Sequence, residues 1–454
     1  MRSPLSALRF PTRIQATFLL TGAIILSPLA LQAEEAPPKA SENPLNVALK
    51  ALFSPGSTPA SPPEEALPAT HEQVNLIKLK EKNGQNTTIH ALALDKDGRL
   101  LAACGGTRVS RQESIDGPAV TTITQPGEIR VFDAEGKQVD SWSVQMAPQA
   151  IFVASDGAIF VAGYETVLQL SPSGELMHEA RLPHVADMEE NTETIRKSLT
   201  EQIKQQSASM QGYLDQQKDR LAELKKKPEN ERSALDKSQI QAAQQMVDAY
   251  SQYVATDEKT INERVLASLN SKKSVASLAA TKDNVFVATS DTAGHGFCIW
   301  RMSRDFKDSK KIVTGLSGCC GNMHIGAGNG EIYVAENSRH RVCRYDEEGE
   351  LITTFGKRDR EGEEGFSSCC NPMNVFITGD GEVYTSESNV GRVKRFTSTG
   401  EYQELIGDVS LVPGCKNVSI VVTPDHDRVY MMDMTRSHII VMKRKAADSV
   451  TAVE

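Results

Sequence analysis

Adjacent cysteines recur at one place in a repeated segment. Cys319-Cys320 and Cys369-Cys370 open the copies CCGNMHIGAGNGEIYVAENSRHRVCRYDEEGELITTFG and CCNPMNVFITGDGEVYTSESNVGRVKRFTSTGEYQELIG. Gly414-Cys415 opens a third, GCKNVSIVVTPDHDRVYMMDMTRSHIIVM. Thiols can cross-link, exchange or ligate soft metals, and spacing leaves all three chemistries open. Each doublet can close a vicinal disulfide. Cys320, Cys370 and Cys415 can instead bridge neighbouring copies, which requires Cα separations under about 7 Å. As thiolates, Cys320, Cys370 and Cys415 with His324 and His90 can hold zinc or copper. The doublets are not C-x-x-C fingers.

Other residues fall at equivalent places in the copies. Glu336-Asn337, Glu387-Ser388 and Asp433 end one strand and precede Arg341, Arg392 and the next strand, and Cys104 occupies the same position in an earlier copy. The acids read as partners of the following arginines across the turn, or as calcium ligands or substrate carboxylates. Cys298 and Cys343 share a different position and read as small buried hydrophobes. His90 and His324, with Asn374 and Ser419, fall on first strands and can line a common channel, as hydrogen-bonded pore residues or metal ligands. His295 and His340 read as surface histidines.

The elements that carry these residues are short strands with D-G and N-G turns. A period of about 45–50 residues of this kind marks a propeller blade. Reading outward gives six blades. The first spans about Thr87–Val144, the second starts near Pro148, the third near Ser274, and the Cys-bearing copies are four to six. Blade six ends after its third strand, SHIIVMKRK, and VNLIKL (Val74–Leu79) is a spare strand that closes the ring. Connections between blades and the loops from second to third strands emerge on one face. The doublets, Cys104, the acids and blade one's long loop GGTRVSRQESIDGPAVTTITQ therefore gather at that mouth of the channel.

Between blades two and three, residues 187–272 are rich in Gln, Lys, Glu and Ala. Leu199, Ile203, Met210, Leu214, Leu221 and Leu224, then Ile240, Ala243, Val247, Tyr250, Val254 and Ile261, predict two long helices joined at Pro228. They form an antiparallel hairpin with arms about 50 Å long at 1.5 Å per residue. Gln206 and Gln217 interrupt its seam.

Arg2, Arg9 and Arg13 precede an uncharged stretch, Ile14–Ala33, which reads as a secretory signal cleaved near Ala33, with an uncleaved anchor as the alternative. The expected organisation is signal 1–33, a Pro/Ala-rich linker 34–70, propeller 71–186, insert 187–272, propeller 273–445 and a tail 446–454. Export places the chain in the periplasm or outside the cell, where cysteines can oxidise. The chain has 50 basic and 59 acidic residues; without the three signal arginines the balance is 47 against 59, near −12. This argues against nucleic acid and anionic membrane as partners.

GEIYVAENSRHRVCRYDEEGELITTFG resembles the NHL repeat: aliphatic strand, acid-Asn, Arg-aliphatic strand, D-x-x-G and a final Phe-Gly. GEVYTSESNVGRVKRF repeats it. The resemblance implies an all-β, six-bladed NHL-like propeller that serves as a binding or scaffolding module. Lyases of this kind hold zinc with channel histidines, of which only His90 and His324 are candidates here. Lactonase-type propellers use axial acids and Asn, of which the first strands carry only Asn374. No Ser-His-Asp set, phosphate loop or catalytic carboxylate pair is evident. The first reading is a binding or scaffold protein, taking a protein partner or small ligand at the cysteine-rich face and needing no cofactor. Its ligand-face residues are Cys104, Cys319, Cys320, Cys369, Cys370, Cys415, Asn374, Glu336, Glu387 and Asp433. The alternatives are a metal-dependent hydrolase or lyase at the axis, and a thiol redox or metal-handling protein.

Overall fold

Short runs of aliphatic, β-branched and aromatic residues, buried on both faces in most second strands, set the strands, and turns of fixed length set the sheets. The computed structural model describes residues 68–446, apart from 115–116, 293, 360–361, 363, 368–369, 389 and 413. The expected signal, nearly all of the expected linker, Cys369 and most of the expected tail lie outside the described residues. No helix among the described residues is long and apolar enough to cross a membrane.

Among the described residues the strands form six four-stranded antiparallel sheets. The innermost strands are Ile89–Leu94, Ala150–Val153, Val275–Ala280, His324–Gly328, Asn374–Ile377 and Ile420–Val422. Each packs beside the next, and the last packs beside the first, so the chain is a β-propeller. Five sheets are built from consecutive strands. The sixth takes Ile420–Val422, Arg428–Asp433 and His438–Arg444 from the C-terminal end and His71–Lys78 from the N-terminal end. His71 faces Arg444 and Lys78 faces His438 in that closing ladder.

Second strands repeat an aliphatic-aromatic pair, seen in Ile159-Phe160, Val285-Phe286, Ile332-Tyr333, Val383-Tyr384 and Val429-Tyr430, and these residues are almost wholly buried. The aliphatic and aromatic members face opposite sides of their sheet. Each sheet is thereby wedged against both neighbours. The outer turns pack just as closely. A Cβ at Gly174 would lie 2.2 Å from the Trp142 ring, and one at Gly400 2.2 Å from Phe355. Both glycines also sit at positive φ, 84° and 92°.

Blade one's long loop is instead a β-ribbon. Its two strands, Leu100–Ser114 and Gly117–Phe132, keep pairing beyond the sheet, from Gly106 opposite Gln125 to Ser114 opposite Gly117. The Thr- and Val-rich stretch on both sides favours a ladder over an irregular loop.

Four helices separate blades two and three: α1 (Pro183–Glu190), α2 (Thr192–Lys225), α3 (Ala234–Val254) and α4 (Glu258–Lys272). α2 lies antiparallel to α3, with Tyr213 against Tyr250 and Lys225 bonded to Gln244. The returning leg is two helices where the spacing predicted one. Asp257 caps α4 by accepting from the Thr260 amide, which breaks the leg after Val254. Arg264 then donates to the Tyr253 carbonyl and to Ser207 Oγ, both at 2.9 Å. The polar seam positions are Ser207 and Gln217, while Gln206 faces solvent.

The root of this arm is braced on blade three. His184 Nε2 bonds the Lys273 carbonyl at 3.1 Å. Asp187 holds Thr292, and Lys311 lies 3.8 Å from its carboxylate. Lys272 reaches the carbonyls of Asp291 and Gly294. His184 is fully buried, and that burial lowers its pKa from 6.5 to about 4. Between these values the folded protein binds fewer protons at His184 than the unfolded chain does. Its contribution is full above pH 6.5 and falls by about 3 kcal/mol as pH drops toward 4. Urea midpoints near neutrality and near pH 4.5 should therefore separate more for the native protein than for His184→Gln. Equal separations would remove His184 from the acid response.

Candidate functional site

The loop that enters blade four is pinned to the end of that blade's second strand. The Ser317 amide donates to Glu336 Oε1 at 2.9 Å, and the Cys319 amide donates to Asn337 Oδ1 at 2.7 Å. The chain then turns tightly, with the Asn322 amide bonded to the Cys319 carbonyl at 3.0 Å. Cys320 and Gly321 both take positive φ, 55° and 72°, as in a type I′ turn. Glycine adopts that region freely, whereas at Cys320 it is strained. The strain is held because Asn337 grips both ends of the turn: its Nδ2 also donates to the Asn322 carbonyl at 3.2 Å. Asn337 is completely buried.

Blade five uses the same device with the asparagine on the loop. Ser367 donates its amide and hydroxyl to Glu387 Oε2 at 2.8 and 2.7 Å. Asn371 Oδ1 accepts from the Ser388 amide at 3.0 Å. Glu387 forms an ion pair with Lys394 at 2.9 Å, and both are buried.

These two pinned loops bring three sulfurs together from adjacent blades. Cys319 and Cys320 Sγ are 3.5 Å apart, Cys320 and Cys370 3.8 Å, and Cys370 and Cys319 2.7 Å. Among the described residues this is the one group of three or more His, Cys, Asp or Glu side chains close enough to share a metal ion. Cys320 is exposed, Cys319 half-buried and Cys370 buried.

The remaining candidates are placed elsewhere. Cys104 points into the core with Ile89, Leu100, Tyr430 and Ile439 and is fully buried, which drives its thiol pKa far upward. Two-residue alternation puts it on the side of Leu100 and Ala102, facing the neighbouring sheet's Tyr430 and Ile439 and not solvent. Glu336, Glu387 and Asp433 are likewise buried, so none presents a carboxylate to a ligand. Glu336 pairs with Arg339 and Arg341 at 2.8 and 2.6 Å. Asp433 pairs with Arg436 at 3.0 Å and accepts the Thr435 and Arg436 amides. Arg392 binds Asp408, which leaves Glu387 to Lys394, two residues along the same strand face. Asn374 is buried and accepts from the Ile420 amide at 3.4 Å.

His90 and His324 each hold backbone atoms. His90 Nε2 lies 2.7 Å from the Gly105 carbonyl, and His324 Nδ1 accepts from the Val375 amide at 3.3 Å. Burial lowers both pKa values, that of His324 to about 4, so both are neutral near pH 7. Neither they nor Cys415 belong to the three-sulfur group. Cys415 is half-buried on the loop entering blade six, where Asn417 donates to the His90 carbonyl at 3.1 Å. Cys298 and Cys343 are buried, and burial pushes the Cys343 thiol up to about 11.

A cavity of about 510 Å³ runs along the axis, lined by all six innermost strands. Its wall is mainly apolar, including Leu92, Ile151, Leu278, Val375 and Ile377, with His324 near the doublet end. Thr281, Lys282, Asp283 and Thr378 line it where those strands end. Sequence reasoning missed the roles of Asn337, Asn371, Ser367 and Lys394. Their signal was present: a polar pair closes the second strand of each blade that carries a doublet.

No family model matches the chain, and no curated protein matches it. Among solved structures it is similar to a gluconolactonase from Xanthomonas campestris, at 10% identity and TM-score 0.40, over 85% of this chain and 99% of that one. It is similar to the WD40 domain of Neurospora crassa Pan2 at 9% identity and TM-score 0.39, over 84% and 98%. It is also similar to regucalcin, a calcium-binding protein from Agrobacterium tumefaciens, at 11% identity and TM-score 0.39, over 79% and 92%. Likenesses of this size carry no functional argument. The fold assignment rests on the ring of sheets itself.

Proposed function

We propose that the chain is an exported NHL-type propeller that acts as a binding or scaffold protein. The doublet face and the helical arm form its recognition surface, and a protein is its partner. The observation that carries this reading is the braced root of the arm. His184, Asp187 and Lys272 tie it to blade three at the face where the inter-blade loops emerge. An arm whose root is fixed costs less to order when a partner docks than one hinged freely at its base. Export rests on the basic and apolar N-terminal pattern. The competing axial hydrolase or lyase needs His90 and His324 as ligands, and among the described residues neither belongs to a group of side chains close enough to share a metal ion.

The test is to excise residues 209–252, joining the stubs of α2 and α4 by a short Gly/Ser link, and to crosslink both forms in the periplasm. A partner captured by the full chain and lost from the shortened one, with thermal unfolding otherwise preserved, supports the reading. Identical partners in both forms would remove the arm from recognition. Metal-dependent turnover of lactones or esters by both forms would move the function to the axis.

A further inference from the structure

Neither a binding role nor the fold requires three sulfurs to meet at the channel mouth. We infer that Cys319, Cys320 and Cys370 bind one thiophilic d10 ion, Cu(I) or Zn(II), as a tris-thiolate site. This goes beyond the recognition role and stands or falls separately from the arm.

Thiolates select such ions over harder ones. A zinc ion with Zn–S bonds of about 2.3 Å spaces its sulfurs about 3.8 Å apart in a tetrahedron. Two edges of the cluster, 3.5 and 3.8 Å, already match that spacing. The third, at 2.7 Å, must open for the ion to enter. A single disulfide would use two of the sulfurs and give no reason for the third. The left-handed backbone at Cys320 belongs to the tight turn that carries two of the three sulfurs. That strain positions the exposed sulfur beside the other two, and the buried Asn337 holds it in place. Asn337 is thus a positioning residue, acting through the turn. Binding is proton-coupled: each thiol that ligates gives its proton to solvent, so up to three are released per ion. No electron transfer is involved.

The test uses the full mature chain, reduced and freed of metal without oxygen, then titrated separately with Cu(I) in a chelator buffer and with Zn(II) against a chromophoric chelator. One equivalent of either ion, seen by native mass spectrometry and, for Cu(I), by thiolate charge-transfer absorption, is expected. The arm that saturates more tightly names the ion. Cys320→Ser, at an exposed position, should abolish stoichiometric binding and remain folded. Cys298→Ala should bind as the native protein does. Asn337→Ala should keep the stoichiometry and weaken affinity by about 10–100-fold, the usual cost of losing a group that orients a ligand. Binding of neither ion, or native-like binding by Cys320→Ser, overturns the inference. So does protein from the exporting cell whose mass shows a Cys319–Cys370 or Cys319–Cys320 bridge that reforms in preference to metal loading.

Discussion

Replacing Lys394 by Met is expected to destabilise the protein by about 3–5 kcal/mol, a large fraction of a normal folding free energy. Lys394 and Glu387 are both almost wholly shielded from water and lie 2.9 Å apart. Lys394 also donates to the Gly365 carbonyl at 2.5 Å, and Phe366 packs its ring beside the ammonium, 5.7 Å from the centroid. Removing the cation strands a carboxylate in a space that cannot hydrate it. The hydrogen bonds from Ser367 offset only part of that cost. Urea unfolding should show a lower midpoint with an unchanged slope. The double variant Lys394→Met, Glu387→Gln should recover part of the loss, because the stranded charge is gone. If the double variant is as unstable as the single one, the deficit is lost packing and the electrostatic account fails.

The second large effect concerns ring closure. A variant lacking His71–Leu79 should aggregate and lose its cooperative unfolding. The deleted strand supplies the outermost ladder of the last sheet, and without it His438–Arg444 becomes an open edge. The deletion also removes Ile77 and Leu79, both buried against blade one residues, each contributing about 1.5–3 kcal/mol. The buried His71, which binds the His426 carbonyl at 3.0 Å, goes with them. Size-exclusion chromatography and differential scanning calorimetry would check this. A variant with the native elution volume and the native melting temperature would show that the ring holds without its closing strand.

The propeller was legible because its signals are local. Gly and Asp turns, alternating strands and the aliphatic-aromatic pair all lie within a few residues of one another. The site was legible only as a set of candidates, because its geometry depends on the paths of loops from different blades. Cys320 and Cys370 are 50 positions apart, and nothing in their spacing says that both enter one cluster while Cys415 stays outside it. Cys104 failed as a mouth residue because side-chain alternation turned it inward, a fact set by register. Glu387 chose Lys394 over Arg392 because both lie on one strand face and Asp408 takes the arginine. The helix break after Val254 was hidden because Val254 and Ile261 are seven residues apart and keep a continuous heptad. Only the cap at Asp257 and the Arg264 contacts reveal it.

That break gives the arm a mechanical character. Its interior is two separate apolar blocks. The inner one is Met188, Ile195, Leu199, Ile203, Ile261 and Val265, and the outer one is built around Leu214, Leu221, Ala243 and Val247. Between them lies the polar node of Ser207, Tyr253 and Arg264, about 22 Å along α2 from Thr192 at 1.5 Å per residue. At that level one continuous helix faces an interrupted one, so the cross-section resisting bending is halved. A sideways load at the tip is carried there as flexure of α2, while the inner block, clamped to blade three, stays still. The arm is stiff at its clamped root and more compliant beyond the node, so bending of its outer segment leaves the ring beneath it undisturbed.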